Sequence, residues 1–212
     1  FTSCSDESIV HPNSSPKERE KQICMNDYKY VDLILGKQCQ TKMGRGGIRP
    51  LEFKTFSKEM QNAITNYCQA GGNFFVSGAY VASDLWDNRL VKANEEDKKF
   101  AMEVLKYKWR VGQAARNGKV KSVASPFPEI TGSYTYYQDL NPESYVVESP
   151  DALEPAAQGA FTILRYSENN LSAGIAYKGN YKTCVLGFPF EAIRTVTERE
   201  LLMKAILTFF EH

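Results

Sequence analysis

The stretch Gly71-Gly72-Asn73-Phe74-Phe75-Val76-Ser77-Gly78-Ala79-Tyr80-Val81-Ala82-Ser83-Asp84 constrains the fold of this chain more than any other. A glycine pair makes a turn, Asn73–Ser77 reads as a strand buried on both faces, and Gly78-Ala79 breaks it before polar residues that can open a helix. Strands that end in this way belong to α/β sheets, where functional groups gather at the C-terminal strand ends.

The flanking segments agree with that assignment. Lys29–Gly36 is a second apolar run closed by glycine, with Lys37 and Gln38 emerging at its end. Ser57 then caps a helix that carries Met60, Ile64, Tyr67 and Cys68 on one face and stops at Ala70-Gly71-Gly72. Strand, helix and strand in this order predict a βαβ unit and parallel pairing. A further helix is expected from near Glu95 through Phe100, Val104 and Leu105 to Lys108-Trp109, followed by a strand over Lys119–Ala124.

From Thr131 the pattern shortens to β-like pieces at Tyr134–Tyr137, Tyr145–Glu148, Ala160–Tyr166 and Ser172–Lys178. Glu168-Asn169-Asn170 and Lys178-Gly179-Asn180 carry hairpin signals, so these pieces read as antiparallel additions. Thr183–Phe188 is a last buried strand, and Thr197-Glu198-Arg199-Glu200 a capping box. It opens a terminal helix with Leu201, Leu202, Ala205, Ile206, Phe209 and Phe210 on its apolar face. The expected fold class is therefore α/β: a three-layer sandwich whose mostly parallel sheet is extended by antiparallel strands in the C-terminal half. With 212 residues, one domain over 1–212 is expected.

A net charge of +1 offers no field for a polyanion, which argues against nucleic acid as a partner. No apolar run is long enough to span a membrane. The abrupt start at Phe1 leads to the expectation that this is the C-terminal part of a longer chain. Five cysteines without a CxxC and two histidines indicate neither a zinc site nor a dense disulfide framework. At most one bridge, among Cys4, Cys24 and Cys39, is expected. The Gly44, Gly46 and Gly47 loop lacks the Gly-Lys-Ser/Thr of a phosphate cradle, and Asp84, Asp87, Glu95, Glu96 and Asp97 lack a calcium-loop spacing. No cofactor and no metal are expected.

Tyr30-Val31-Asp32-Leu33-Ile34-Leu35-Gly36, Tyr67-Cys68-Gln69-Ala70-Gly71-Gly72-Asn73, Val76-Ser77-Gly78-Ala79-Tyr80-Val81, Ser83-Asp84-Leu85-Trp86-Asp87 and Gly187-Phe188-Pro189-Phe190-Glu191 together resemble a domain of large secreted bacterial proteins often labelled xanthan lyase. That domain is similar to the class I glutamine amidotransferase fold, a flavodoxin-like α/β sandwich. The resemblance implies a secreted, periplasmic or cell-surface location, a carbohydrate ligand, and an upstream domain of the same protein as a partner. It also implies that a first strand and helix precede the segment resembling Phe1–Asp6.

Amidotransfer requires a nucleophilic cysteine on a glycine-flanked elbow and a His–Glu pair to activate it. Ser77 stands at the corresponding turn without the flanking glycines, Cys184 lies within an apolar strand, and His11 and His212 are in a polar loop and at the last position. Ser77, Asp84 and Glu191 form the best remaining catalytic constellation, since Ser77 and Glu191 follow separate strands at one sheet edge. Lys37, Tyr80, Trp86 and Arg194 are the candidate substrate-binding residues, with Tyr80, Lys37 and Arg194 able to serve a lyase as base and enolate stabilisers. In the structural alternative, Ser77 and Ser83 cap a helix, Asp84 neutralises its N-terminus and Glu191 pairs with Arg194. The expected function is a non-catalytic binding or structural domain of a secreted carbohydrate-related protein. The alternative is a polysaccharide lyase or hydrolase with its site around Ser77.

Overall fold

The computed structural model describes residues 2–4, 9, 23–43, 51–86 and 94–212. The loop of Gly44, Gly46 and Gly47, together with His11 and Asp87, lies outside the described residues. Strands β1 (Tyr30–Gly36) and β4 (Asn73–Gly78) pair in parallel from Tyr30↔Asn73 to Gly36↔Gly78. Between them come the hairpin of β2 (Thr41–Met43) and β3 (Leu51–Phe53) and helix α1 (Lys58–Gln69). The Ser57 hydroxyl accepts from Met60 N, the cap its position predicts.

Strands β6 (Lys119–Ser122), β7 (Ser133–Thr135), β9 (Ala160–Tyr166), β10 (Ser172–Lys178) and β11 (Lys182–Leu186) complete a seven-stranded sheet ordered β1-β4-β11-β10-β9-β6-β7. β1–β4 and β4–β11 are parallel, and β11–β10, β10–β9, β9–β6 and β6–β7 are antiparallel. The expectation of a mostly parallel, flavodoxin-like sheet is thus corrected: the sheet is mixed and its antiparallel part predominates. The reason is connectivity. Short turns through Asn170, at φ 63, and through Gly179-Asn180 can join only antiparallel strands, whereas burial on both faces is compatible with either direction.

Helix α2 (Ser83–Trp86) follows β4, and α3 (Glu95–Phe100) is capped by Asn94 and runs into a π turn at Ala101–Leu105. Lys106 ends it in the left-handed region at φ 69. Lys108 and Trp109, expected in this helix, instead enter β5 (Tyr107–Val111), which pairs antiparallel with β8 (Ala152–Pro155) in a separate ribbon. Tyr145–Glu148 forms no strand. The terminal helix α4 (Val196–Glu211) starts two positions earlier than expected, its capping box made by Thr195 and Glu198 rather than Thr197 and Glu200. Leu201 consequently faces solvent.

Alternation along β4 sends Phe74 and Val76 to one side and Phe75 to the other. Phe75, Cys184 and Leu186 pack in one core with Leu202, Ile206 and Phe209 of α4. Phe74, Val76, Ile175 and Val185 form the other with Met60, Ile64 and Tyr67 of α1 and Phe100 beside the π turn. Cys4, Cys24, Cys68 and Cys184 carry free thiols, so no bridge joins Cys4 to Cys24, and burial pushes the Cys68 thiol up to about 12.

Candidate functional site

The serine at the end of β4 is committed to structure. Ser77 is fully buried, and its hydroxyl accepts from Phe190 N at 3.3 Å, tying the turn after β11 to β4. It caps no helix. Asp84 is equally committed, with Oδ1 accepting from Gln40 N at 2.7 Å and Oδ2 from Thr55 N at 2.9 Å. Rather than neutralising its own helix, it clamps the segment after β1 to the segment before α1. Replacing Asp84 by alanine strands two backbone donors and is expected to cost about 2–3 kcal/mol in denaturant unfolding. An unchanged midpoint would count against this clamp.

Two of the candidate binding residues lie elsewhere. Trp86 packs toward the α1 side of the sheet, its ring 6.3 Å from that of Tyr107. Arg194 sits over Tyr137 at 5.2 Å and reaches Asp139 at 3.4 Å, so the expected Glu191–Arg194 pair does not form.

Lys37, Tyr80 and Glu191 do come together at the C-terminal ends of the parallel strands, joined by Tyr145 and Glu148, while Asp32, midway along β1, is close enough to feel the Glu191 charge. Lys37 Nζ lies 2.7 Å from Glu148 Oε1 and 5.8 Å from the Tyr145 ring centroid. The Tyr145 hydroxyl donates to Glu191 Oε1 at 2.5 Å, while Glu191 Oε2 is buried without a hydrogen-bond partner. Gly36 makes this closure feasible: at φ +56, a Cβ there would stand 3.2 Å from both Glu191 Oε1 and the Tyr145 hydroxyl.

Asp32 lies on the Phe75 side of β1, next to Glu191. Asp32 is exposed to solvent, with protein atoms crowded around its carboxyl. That crowding, and secondarily the Glu191 charge, pushes it up to about 7. The Tyr145 phenol is raised by burial and by its bond to Glu191, and burial raises Tyr80. Glu148 is held below the usual carboxylate range by its bond to Lys37.

The cluster therefore offers two phenols, three carboxyls and an ammonium around a glycine turn, a set suited to hydrogen-bonding a hydroxyl-rich ligand against an aromatic face. Ser77 has no base beside it. Among the described residues, no group of three or more His, Cys, Asp or Glu side chains could hold a metal ion. Asp32 was detectable as a carboxyl inside an apolar run, on the same strand face as Tyr30 and Ile34. Nothing local marks Tyr145, which reaches Glu191 from 46 positions away.

No family model matches the chain. No curated protein matches it either. Among solved structures it is similar to a cold-adapted β-galactosidase from Rahnella sp. R3, with TM-score 0.50 and 12% identity over 88% of this chain and 23% of the enzyme. It is also similar to the exo-β-1,4-mannosidase Op5Man5 from Opitutaceae bacterium strain TAV5, with TM-score 0.46 and 8% identity over 89% of this chain and 25% of that one. The mmIFT52 N-terminal domain matches with TM-score 0.39 and 15% identity, over 74% of this chain and 72% of that domain. The chain thus spans about a quarter of the length of either enzyme. At such identities the first likeness concerns the fold alone, and the other two carry no argument. The resemblance to an amidotransferase-like, flavodoxin-like domain is corrected on these grounds: the sheet is mainly antiparallel, no family model supports the assignment, and the fold is shared with part of a β-galactosidase.

Proposed function

We propose that this chain is a non-catalytic, carbohydrate-binding domain of a larger secreted or cell-surface protein, its ligand held by Lys37, Tyr80, Tyr145, Glu148 and Glu191. The observation that carries this reading is the commitment of Ser77 and Asp84 to backbone bonds, beside a polar and aromatic cluster at the same strand ends. The fold shared with part of a β-galactosidase supports a carbohydrate-related setting. In the described residues, no helix is long and apolar enough to cross a membrane.

A hydrolase acting at the same strand ends is the second reading, favoured by one observation. Asp32, raised to about 7 beside Glu191, holds its proton near neutrality as a general acid must. Calorimetric titration with neutral and uronate-containing oligosaccharides, followed by product analysis, separates the two. Binding without cleavage is expected, weakened about tenfold by Glu191→Gln or Lys37→Ala, a loss of about 1.4 kcal/mol. Ser77→Ala should leave binding unchanged. Cleavage by the wild type that disappears in Asp32→Asn would establish the hydrolase instead, and cleavage that disappears in Ser77→Ala would restore the serine to a catalytic role.

A further inference from the structure

The strand-end cluster carries negative charge that its own side chains do not balance. Both oxygens of Glu148 lie on the Lys37 ammonium, at 2.7 and 2.6 Å, so that cation is already answered. Glu191 has no cation: Oε1 accepts from the neutral Tyr145 phenol, and Oε2 is buried without a partner. Among the described residues Asp32 enters no ion pair either, and no cation acts on its carboxyl. Basic side chains close in sequence are engaged elsewhere, Lys29 over the Tyr30 ring at 4.9 Å and Arg194 over Tyr137 and against Asp139. The turn Phe190–Ala192 packs against β1 and sets Glu191 at its Gly36 end, while Asp32 lies further back, on the strand face that Ile34 shares. Ile34, at 57% exposure, is the apolar surface on the way from one carboxyl to the other.

We propose, on the carbohydrate-binding reading above, that the ligand is an amino sugar chain with free, protonated amines, lying along the outer end of β1 from Glu191 over Ile34 to Asp32. Four strand residues span about 13 Å, room for more than one sugar ring. The ammonium groups answer the two carboxyls, hydroxyls meet the Tyr80 and Tyr145 phenols, and the apolar face of a ring rests on Ile34. A bare metal ion fits less well, because it needs several oxygen ligands at once and nowhere among the described residues do three such side chains gather. A uronate would bring another carboxylate to two that lack a counter-ion. The net charge of +1 gives a cation no general attraction, so a preference for amines has to come from this stripe. The titratable groups facing Asp32 are Glu191, Tyr30 on its own strand face, stacked on Phe210, and Cys184 of β11, whose thiol burial pushes up.

Calorimetric titration at about pH 6, where sugar amines carry their protons, compares β-1,4-linked tetrasaccharides of glucosamine, N-acetylglucosamine and glucose. Melting temperatures confirm that each variant is folded. The glucosamine chain is expected to bind at least about tenfold tighter than the other two at low salt, and Asp32→Asn should cut that ratio to about threefold or less. Free Asp32, pushed up to about 7, holds its proton under these conditions, and an ammonium alongside favours the carboxylate. Glucosamine binding should therefore release protons, read as a heat that varies with the ionisation enthalpy of the buffer, and the release should vanish with glucose and in Asp32→Asn. Equal affinities for the three saccharides, or a preference and proton release untouched by Asp32→Asn, would overturn the amine assignment and leave the carbohydrate reading standing. Failure of all three to bind would remove the carbohydrate reading itself, and this inference with it. A lysine tetrapeptide that binds as tightly as the glucosamine chain would overturn the sugar in favour of a basic peptide.

Discussion

Gly187→Ala lowers the stability of this protein by about 4 kcal/mol or more, which for a chain of this size is a fall of roughly 10 °C or more in melting temperature. The residue follows β11, where the chain passes closest to the segment before β8. A Cβ at Gly187 would stand 2.0 Å from the backbone oxygen of Asp151. That backbone has no room to yield. Asp151 N donates to Gly187 O at 2.7 Å, and the buried Tyr166 hydroxyl donates to Asp151 O at 2.7 Å. The Asp151 carboxylate in turn holds Ala82 N and Ser83 N, so a shift at Gly187 propagates to the end of the Gly71–Asp84 stretch. Gly112→Ala is the control, because its added Cβ also approaches Asp151, but through the side-chain Oδ1 and at an ordinary 3.6 Å. Calorimetric melting in which the two variants match would refute the close-approach argument.

A second large effect is a stability that declines as pH rises, centred on Asp151. Its side chain is fully buried, and desolvation raises it to about 7 despite the Ala82 and Ser83 amides that favour the charged form. The Ser83 hydroxyl and Trp109 indole N–H, both buried, lie beside the carboxyl and also favour its charged form, without full hydrogen-bond geometry. In the unfolded chain Asp151 ionises near its ordinary value of 3.8. The native state therefore binds the proton more tightly, and the stabilisation is complete below that value and lost as pH rises through 7. Between acidic and neutral pH the loss is on the order of 3–4 kcal/mol. Asn at this position is neutral throughout. Relative to Asp151→Asn, the wild type should thus lose several degrees of melting temperature between about pH 4.5 and 7.5. Parallel pH profiles for the two proteins would exclude Asp151 as the source.

Where elements are local, the sequence was legible. The strands at Tyr30–Gly36 and Asn73–Gly78 and the helix capped by Ser57 lie where the apolar period and punctuation place them. Errors arose where one pattern fits two structures. Lys108-Trp109 continues a helical apolar spacing, but a π turn ending in left-handed Lys106 redirects it into β5. Thr197 and Glu200 satisfy the capping-box spacing as well as Thr195 and Glu198 do, and the sheet selects the pair that buries Leu202 rather than Leu201. For the site, the fold brings Lys37, Tyr80 and Glu191 together near the strand ends, whereas Trp86 packs against the core and Arg194 over Tyr137, placements set by contacts distant in sequence.

By itself the sequence determined the Gly71–Asp84 stretch as strand, break and polar exit, because hydrophobic period and glycine punctuation act over a few residues. Only the tertiary structure decided what that exit does. The Ser77 hydroxyl is claimed by Phe190, 113 positions away, and Asp84 by two loops 44 and 29 positions back. Strand direction beyond β11 was decided in the same way, by which chains could meet. Such contacts depend on sheet order and loop closure, which no short-range spacing encodes, and they turned a candidate nucleophile turn into a structural joint bordering the Lys37, Tyr145 and Glu191 cluster.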